Sequence, residues 1–251
     1  TDAVPIPIYD VYNALIENST IDISHFTAAD ATEHEQQVYA LFQQKLQQVI
    51  AEISQELTGE TATVYNDLDD EMQEYETFIV DKLLSNTMGI LSSTAIDEKD
   101  ETYQAWNDGT ISLRAYLTYA ASQNWIDVSA LTQDDAYLDS QEVYQKLTEV
   151  ILDRLANNTT FAKKMYHYML QQDMIDGYDI CNLMYDQNLL TKEDDDYAAY
   201  VAGNMTPFQL LSDKIDKLEI TPAQLALDPC SGSVVITDPD TGAILACVSY
   251  P

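Results

Sequence analysis

The chain has 251 residues, enough for one large domain or two small ones with a sizeable core. Its 43 acidic residues against 11 basic ones give a formal net charge of -32. Such a surface repels nucleic acid and anionic lipid, which are bound through Lys and Arg on phosphate, and nucleic acid is excluded as a partner. Apolar residues make up 46% of the chain, so the acidity does not mark a disordered tail.

Up to about residue 220 the chain is helical in character, with only 7 Gly and 7 Pro in the whole sequence. From Thr32 to Leu57, Tyr39, Leu41, Phe42, Leu46, Val49, Ile50 and Ile53 form the stripe of an amphipathic helix that Thr58-Gly59 ends. A second helix is predicted from about Asp67 to Leu84, and others over 112–124, 140–156, 160–173, 178–190 and 206–217. Asp108-Gly109-Thr110 and Gly203-Asn204-Met205-Thr206 read as loops and N-caps. The segments beginning Ile21-Asp22-Ile23-Ser24, Ile126-Asp127-Val128-Ser129 and Ile220-Thr221-Pro222-Ala223 echo one another. They read as a common joint, an apolar residue and then a capping one, rather than as a repeat array of fixed period.

The character then changes. Ser233-Val234-Val235-Ile236-Thr237, the turn Asp238-Pro239-Asp240-Thr241-Gly242 and Ala243-Ile244-Leu245-Ala246-Cys247-Val248 predict an antiparallel β-hairpin. Both faces of both strands are apolar, a pattern that suits a sheet covered on each side. The expected fold is therefore mainly α: a multi-helix domain of helical hairpins over 1–226, then a short C-terminal antiparallel β-hairpin over 227–251. The hairpin residues Val234, Val235, Ile236, Ile244, Leu245 and Val248 are expected to form a domain interface, covered by further chain. Without that cover, the strands are expected to pack on the chain's own helices or to pair with another copy through an open edge.

The run Leu227-Asp228-Pro229-Cys230-Ser231-Gly232, continuing through the D-P-x-T-G turn to Ile244-Leu245-Ala246-Cys247-Val248-Ser249-Tyr250-Pro251, resembles the opening of the penicillin-binding transpeptidase domain. Its Ser-Tyr-Pro ending resembles the monofunctional class B type. The helical remainder is similar to the long helical region before that domain in clostridial class B members. The resemblance implies a parent that is membrane-anchored, sits on the extracytoplasmic face of a bacterial cell and cross-links peptidoglycan through an acyl-serine. The implied partners are the remainder of the transpeptidase domain and other cell-wall synthesis or division proteins. That chemistry needs S-x-x-K, S-x-N and K-T-G. No lysine of this chain has serine three residues before it, and no Lys-Thr-Gly occurs. No catalytic residue is assigned, and the chain itself is expected to be a non-enzymatic module whose parent is a serine-type D-Ala-D-Ala transpeptidase.

Other chemistry finds little support. Cys181, Cys230 and Cys247 form no C-x-x-C pair. No apolar run of about eighteen residues and no basic region before an apolar stretch appears, so neither an anchor nor a signal peptide is read. A chain that starts on Thr is expected to be an excised piece with its anchor upstream. His34-Glu35-Gln36-Gln37-Val38 begins like a zinc-protease helix, but Val38 stands where the second histidine belongs. His25 and His167 read as helix-surface or boundary residues. The acidic groups at 67–71, 97–98 and 193–196 lack EF-hand order and read as solvated faces, with weak cation binding outside the cell as the rival. No cofactor or metal is assigned.

Tyr75, Tyr116, Tyr119 and Tyr168 fall on or beside apolar stripes and are expected to pack between helices. The sequons at Asn18, Asn158 and Asn204 coincide with expected caps and turns. The leading reading is a spacer and docking module of a peptidoglycan transpeptidase. The alternatives are a carbohydrate-binding module using exposed tyrosines, and an unrelated acidic adaptor.

Overall fold

A computed structural model describes residues 6–91, 94–131 and 138–225 with their side chains, and the backbone of 232–237 and 244–250. The helices are α1 (Ile8–Glu17), α2 (Glu33–Thr58), α3 (Asp70–Thr77), α4 (Glu101–Asn107), α5 (Leu113–Ser122), α6 (Val128–Leu131), α7 (Ser140–Ala156), α8 (Thr159–Gln171), α9 (Gly177–Asp186), α10 (Asp195–Val201) and α11 (Pro207–Asp216). α3 runs on into wide π-helical turns over Phe78–Thr87, and short 3-10 turns lie at Ile23–Thr27, Tyr65–Asp67 and Pro222–Leu225.

Much of the acidity is placed at helix starts. Asp69, Asp100, Asp139, Asp176 and Asp194 cap α3, α4, α7, α9 and α10 with side-chain oxygens on first-turn N–H groups. Glu142 and Asp179 close reciprocal capping boxes on α7 and α9. Each cap satisfies donors with no partner inside the helix, and its charge opposes the positive end of the helix dipole.

The joints share one geometry. Ser19, Gly109, Asn124, Asp173, Asn188, Gly203 and Leu218 all have φ between 53° and 74°. Each is followed two residues later by an apolar side chain (Ile21, Ile111, Ile126, Ile175, Leu190, Met205, Ile220), and then by Asp, Ser or Thr. At most of them the residue after the left-handed one donates back to the helix: Met174 N to Met169 O at 2.9 Å, Leu189 N to Met184 O at 2.8 Å, and Glu219 N to Lys214 O at 2.9 Å. This left-handed C-terminal cap captures orphan carbonyls and aims the next apolar residue inward. Positions 173, 188, 203 and 218 are spaced by fifteen residues throughout. The echo is thus a joint, as its chemistry suggests, and in this stretch it also keeps a fixed period that the comparison of residues 21, 126 and 220 misses.

Leu218 is the one joint residue with a large apolar side chain, and it is 67% exposed. A left-handed conformation costs an L-residue roughly 1–2 kcal/mol, while glycine's extra chain entropy returns part of any gain. Leu218→Gly is expected to stabilise the protein by a few tenths to about 1 kcal/mol. Urea unfolding reads this directly; a destabilised variant would show that the Leu218 side chain contributes packing that its exposure denies.

The chain folds as two compact units, Thr1–Leu41 with Met169–Pro251, and Phe42–Tyr168. The division falls inside the expected 1–226 domain, because α2 and α8 each contribute to both units. The first unit has Leu15, Ile21, Ile180, Met184, Leu210 and Ile220 buried at its centre. The second is built on Ile53, Tyr75, Ile79, Leu117, Leu147 and Phe161, with Tyr75 and Phe161 rings 4.9 Å apart.

The expected fold class requires correction. Among the residues whose side chains are described, the fold is helical throughout and holds no β-strand, so the C-terminal β-hairpin is not seen as part of the packed fold. What is described there is backbone alone. Gly232–Thr237 and Ile244–Tyr250 run antiparallel, with Val234 opposite Val248 and a register irregularity between Ile236 and Thr237. The physical reason is that two strands form no core of their own, while capped helices occupy the chain through residue 225. The side chains of Val234, Val235, Ile236, Ile244, Leu245, Cys247 and Val248 lie outside what is described, as does the whole of Cys230.

Candidate functional site

The C-terminus of α2 organises the second unit. Its last turn leaves carbonyls unpaired, as every α-helix does. Tyr144 of α7 donates its hydroxyl to Leu57 O at 2.7 Å, and Arg114 of α5 donates to Gly59 O. Thr58 Oγ1 bonds back to Ser54 O at 2.7 Å. Glu56 then receives Thr63 N at 2.6 Å and Thr63 Oγ1 at 2.9 Å, folding the departing chain back on the helix. Between α5, α7 and this helix end lies a groove of about 730 Å³. Thr118, Ser122, Gln141 and Gln145 stand on its walls, and Leu57, Leu152 and the Tyr144 ring give it an apolar side. Burial raises the Tyr144 hydroxyl's pKa, and Thr148, Arg114 and Thr118 offset part of that rise.

Nearby in the same unit, Glu76 is only 1% exposed, and neither carboxyl oxygen has a hydrogen-bond partner. Burial, together with the charge of Glu56, pushes its pKa up to about 8. Glu76 is therefore mostly protonated at neutral pH.

The histidines singled out in the sequence serve the first unit. His34 Nε2 lies 3.1 Å from Asp179 and its Nδ1 3.5 Å from Asp186, both on α9. Val38 is buried in the core. His25 Nδ1 lies 2.8 Å from Glu35, which also accepts Thr32 N at 2.8 Å and Gln187 Nε2 at 2.9 Å. The carboxylates raise both imidazoles above their usual pKa, Asp179 acting most on His34 and Glu35 most on His25. His167 is half-buried, with its ring 5.3 Å from that of Tyr168.

The acidic groups are more than solvated faces. Glu71 holds buried Lys45 at 2.7 Å. Lys214, fully buried, is held by Asp194 at 2.5 Å, Asp196 at 2.9 Å and Glu219 at 3.0 Å. Sequence periodicity could not show these clamps, because each joins residues from different elements. Among the described residues no group of three or more His, Cys, Asp or Glu is placed to hold a metal ion, and no helix is long and apolar enough to cross a membrane.

Tyr75, Tyr116 and Tyr168 are buried, and Tyr119 is half-buried with its hydroxyl 2.8 Å from Asp100. Tyr9 and Tyr178 are each 50% exposed. Cys181 is a buried free thiol whose pKa burial pushes up to about 12. Asn158 caps α8 through Phe161 N at 2.9 Å, and the Asn18 side chain donates to Gln224 O at 3.3 Å. No protein-family model, no curated protein and no solved structure matches the chain.

Proposed function

We propose that the chain is a non-catalytic helical module of a peptidoglycan transpeptidase. It positions the catalytic domain outside the cell membrane and docks other wall-synthesis or division proteins. The observation that carries this reading is the sequence Leu227–Pro251, whose D-P-x-T-G and I-L-A-x-V-S runs and Ser-Tyr-Pro ending resemble the start of that domain. A positioning role is supported by how the ionisable clusters are used. His34, Lys45 and Lys214 are all engaged in holding one element to another. Sequencing the gene past codon 251 tests the reading. It should show S-x-x-K, S-x-N and K-T-G in the same frame and in that order, and a frame that runs on without them would defeat it.

A further inference from the structure

We propose that the groove between α5 and α7 is a binding site for a neutral saccharide. The inference stands on the groove's own chemistry and not on the transpeptidase reading. Its volume of about 730 Å³ lies within the range usual for small-molecule sites, and a second hollow sharing Arg114, Thr118 and Ser122 extends it along α5. On a chain with net charge -32, the described residues that line the main groove include one charged group of each sign, Arg114 and Glu149.

Arg114 gives one of its N–H groups to Gly59 O and shares the described lining with the opposite charge of Glu149, so that lining carries no net charge to select an anion or a cation. The remaining polar groups are hydroxyls and carboxamides that both donate and accept, set beside Leu57, Leu152 and the Tyr144 ring. That combination matches a ligand with apolar C–H faces and hydroxyls around its edge. An extended peptide would gain most by pairing with free backbone, as at a sheet edge, and two helices offer none. The walls are also fixed in advance. Tyr144 is bonded to Leu57 O, and Thr148 Oγ1 to Tyr144 O at 3.1 Å, so little ordering cost attends binding.

Calorimetric titration of the chain with chitotetraose, cellotetraose and a Gly-Ser peptide of similar length tests the proposal. Saturable binding of at least one saccharide is expected. Gln145→Ala and Thr118→Val, both at exposed positions, should each weaken it about threefold to tenfold, the worth of one hydrogen bond, with melting temperature unchanged. Tyr9→Ala with Tyr178→Ala should leave it unaltered. No saturation with either saccharide, binding of the peptide alone, or binding lost with the Tyr9 and Tyr178 changes and kept with the groove changes would each overturn it.

Discussion

Replacing Lys214 with methionine should destabilise the protein by about 3 kcal/mol, the lower end for removing one member of a buried ionic cluster. Lys214 is 0% exposed, and its ammonium touches Asp194, Asp196 and Glu219. Burial alone would depress its pKa, but the hydrogen bonds it donates to the three carboxylates outweigh burial and hold it above the ordinary lysine range. Methionine keeps the length of the side chain and removes the charge. Three acids then face each other with only Lys217, which reaches Asp196 at 2.9 Å, left between them. The carboxylates keep part of their surface in water, which places the cost at the lower end.

The same clamp sets a pH dependence. Its hydrogen bonds with Lys214 and Lys217 pull Asp196 down to about 2, and Asp194 is also lowered: burial raises it, but Lys214 outweighs that. A carboxylate depressed in the folded state contributes stability present above its unfolded pKa and lost as pH falls through the folded value. Wild type should therefore lose stability between roughly pH 4 and pH 2 more steeply than Lys214→Met. Urea midpoints for both proteins across that window check the expectation. A loss under about 1 kcal/mol at neutral pH would mean the cluster is hydrated and the lysine's burial energetically idle.

Glu76→Met should do the opposite and stabilise the protein, with a gain that grows with pH. The wild-type carboxyl is buried, unpartnered and raised from 4.5 to about 8. A group whose folded pKa is raised contributes stability that is fully present below its unfolded pKa and is lost as pH rises through the folded one. Each pKa unit is about 1.4 kcal/mol, so above pH 8 wild type should be on the order of 4 kcal/mol less stable relative to the variant than it is at pH 4. Methionine fills similar space without leaving a polar atom unpaired. His25 and His34 also titrate upward of their usual range, which is why the difference between the two proteins, and not either curve alone, reads Glu76. Parallel stability curves from pH 5 to pH 9 would show that Glu76 finds a partner or water.

These two residues mark where sequence reasoning stops. The stripe from Tyr39 to Ile53 places α2 to within a residue at each end, and the 140–156 segment coincides with α7, because helical periodicity and caps are local signals. Glu76 sits beside Tyr75 in the helix predicted from about Asp67 to Leu84, and nothing in its local sequence separates it from a solvated carboxylate; only the packed structure shows it enclosed. Asn124, Asp173 and Asn188 are residue types that tolerate a left-handed turn, whereas Leu218 carries no such signal and is found only through its fifteen-residue spacing. The groove was invisible for a different reason. Arg114, Thr118 and Ser122 fall at four-residue steps on α5, a spacing that sets them on one helix face, and only the packing of α7 and the end of α2 makes that face a wall. The C-terminal strands show the converse: two apolar runs joined by a turn identify extended antiparallel backbone, yet two strands alone supply no core.

An antibody raised against the chain, used to recover the native protein from its source cells after labelling them with fluorescent penicillin, tests the central claim most directly. A module of a peptidoglycan transpeptidase should be recovered as a fluorescent band heavier than the 28.2 kDa of these 251 residues. An unlabelled band of 28.2 kDa would contradict it.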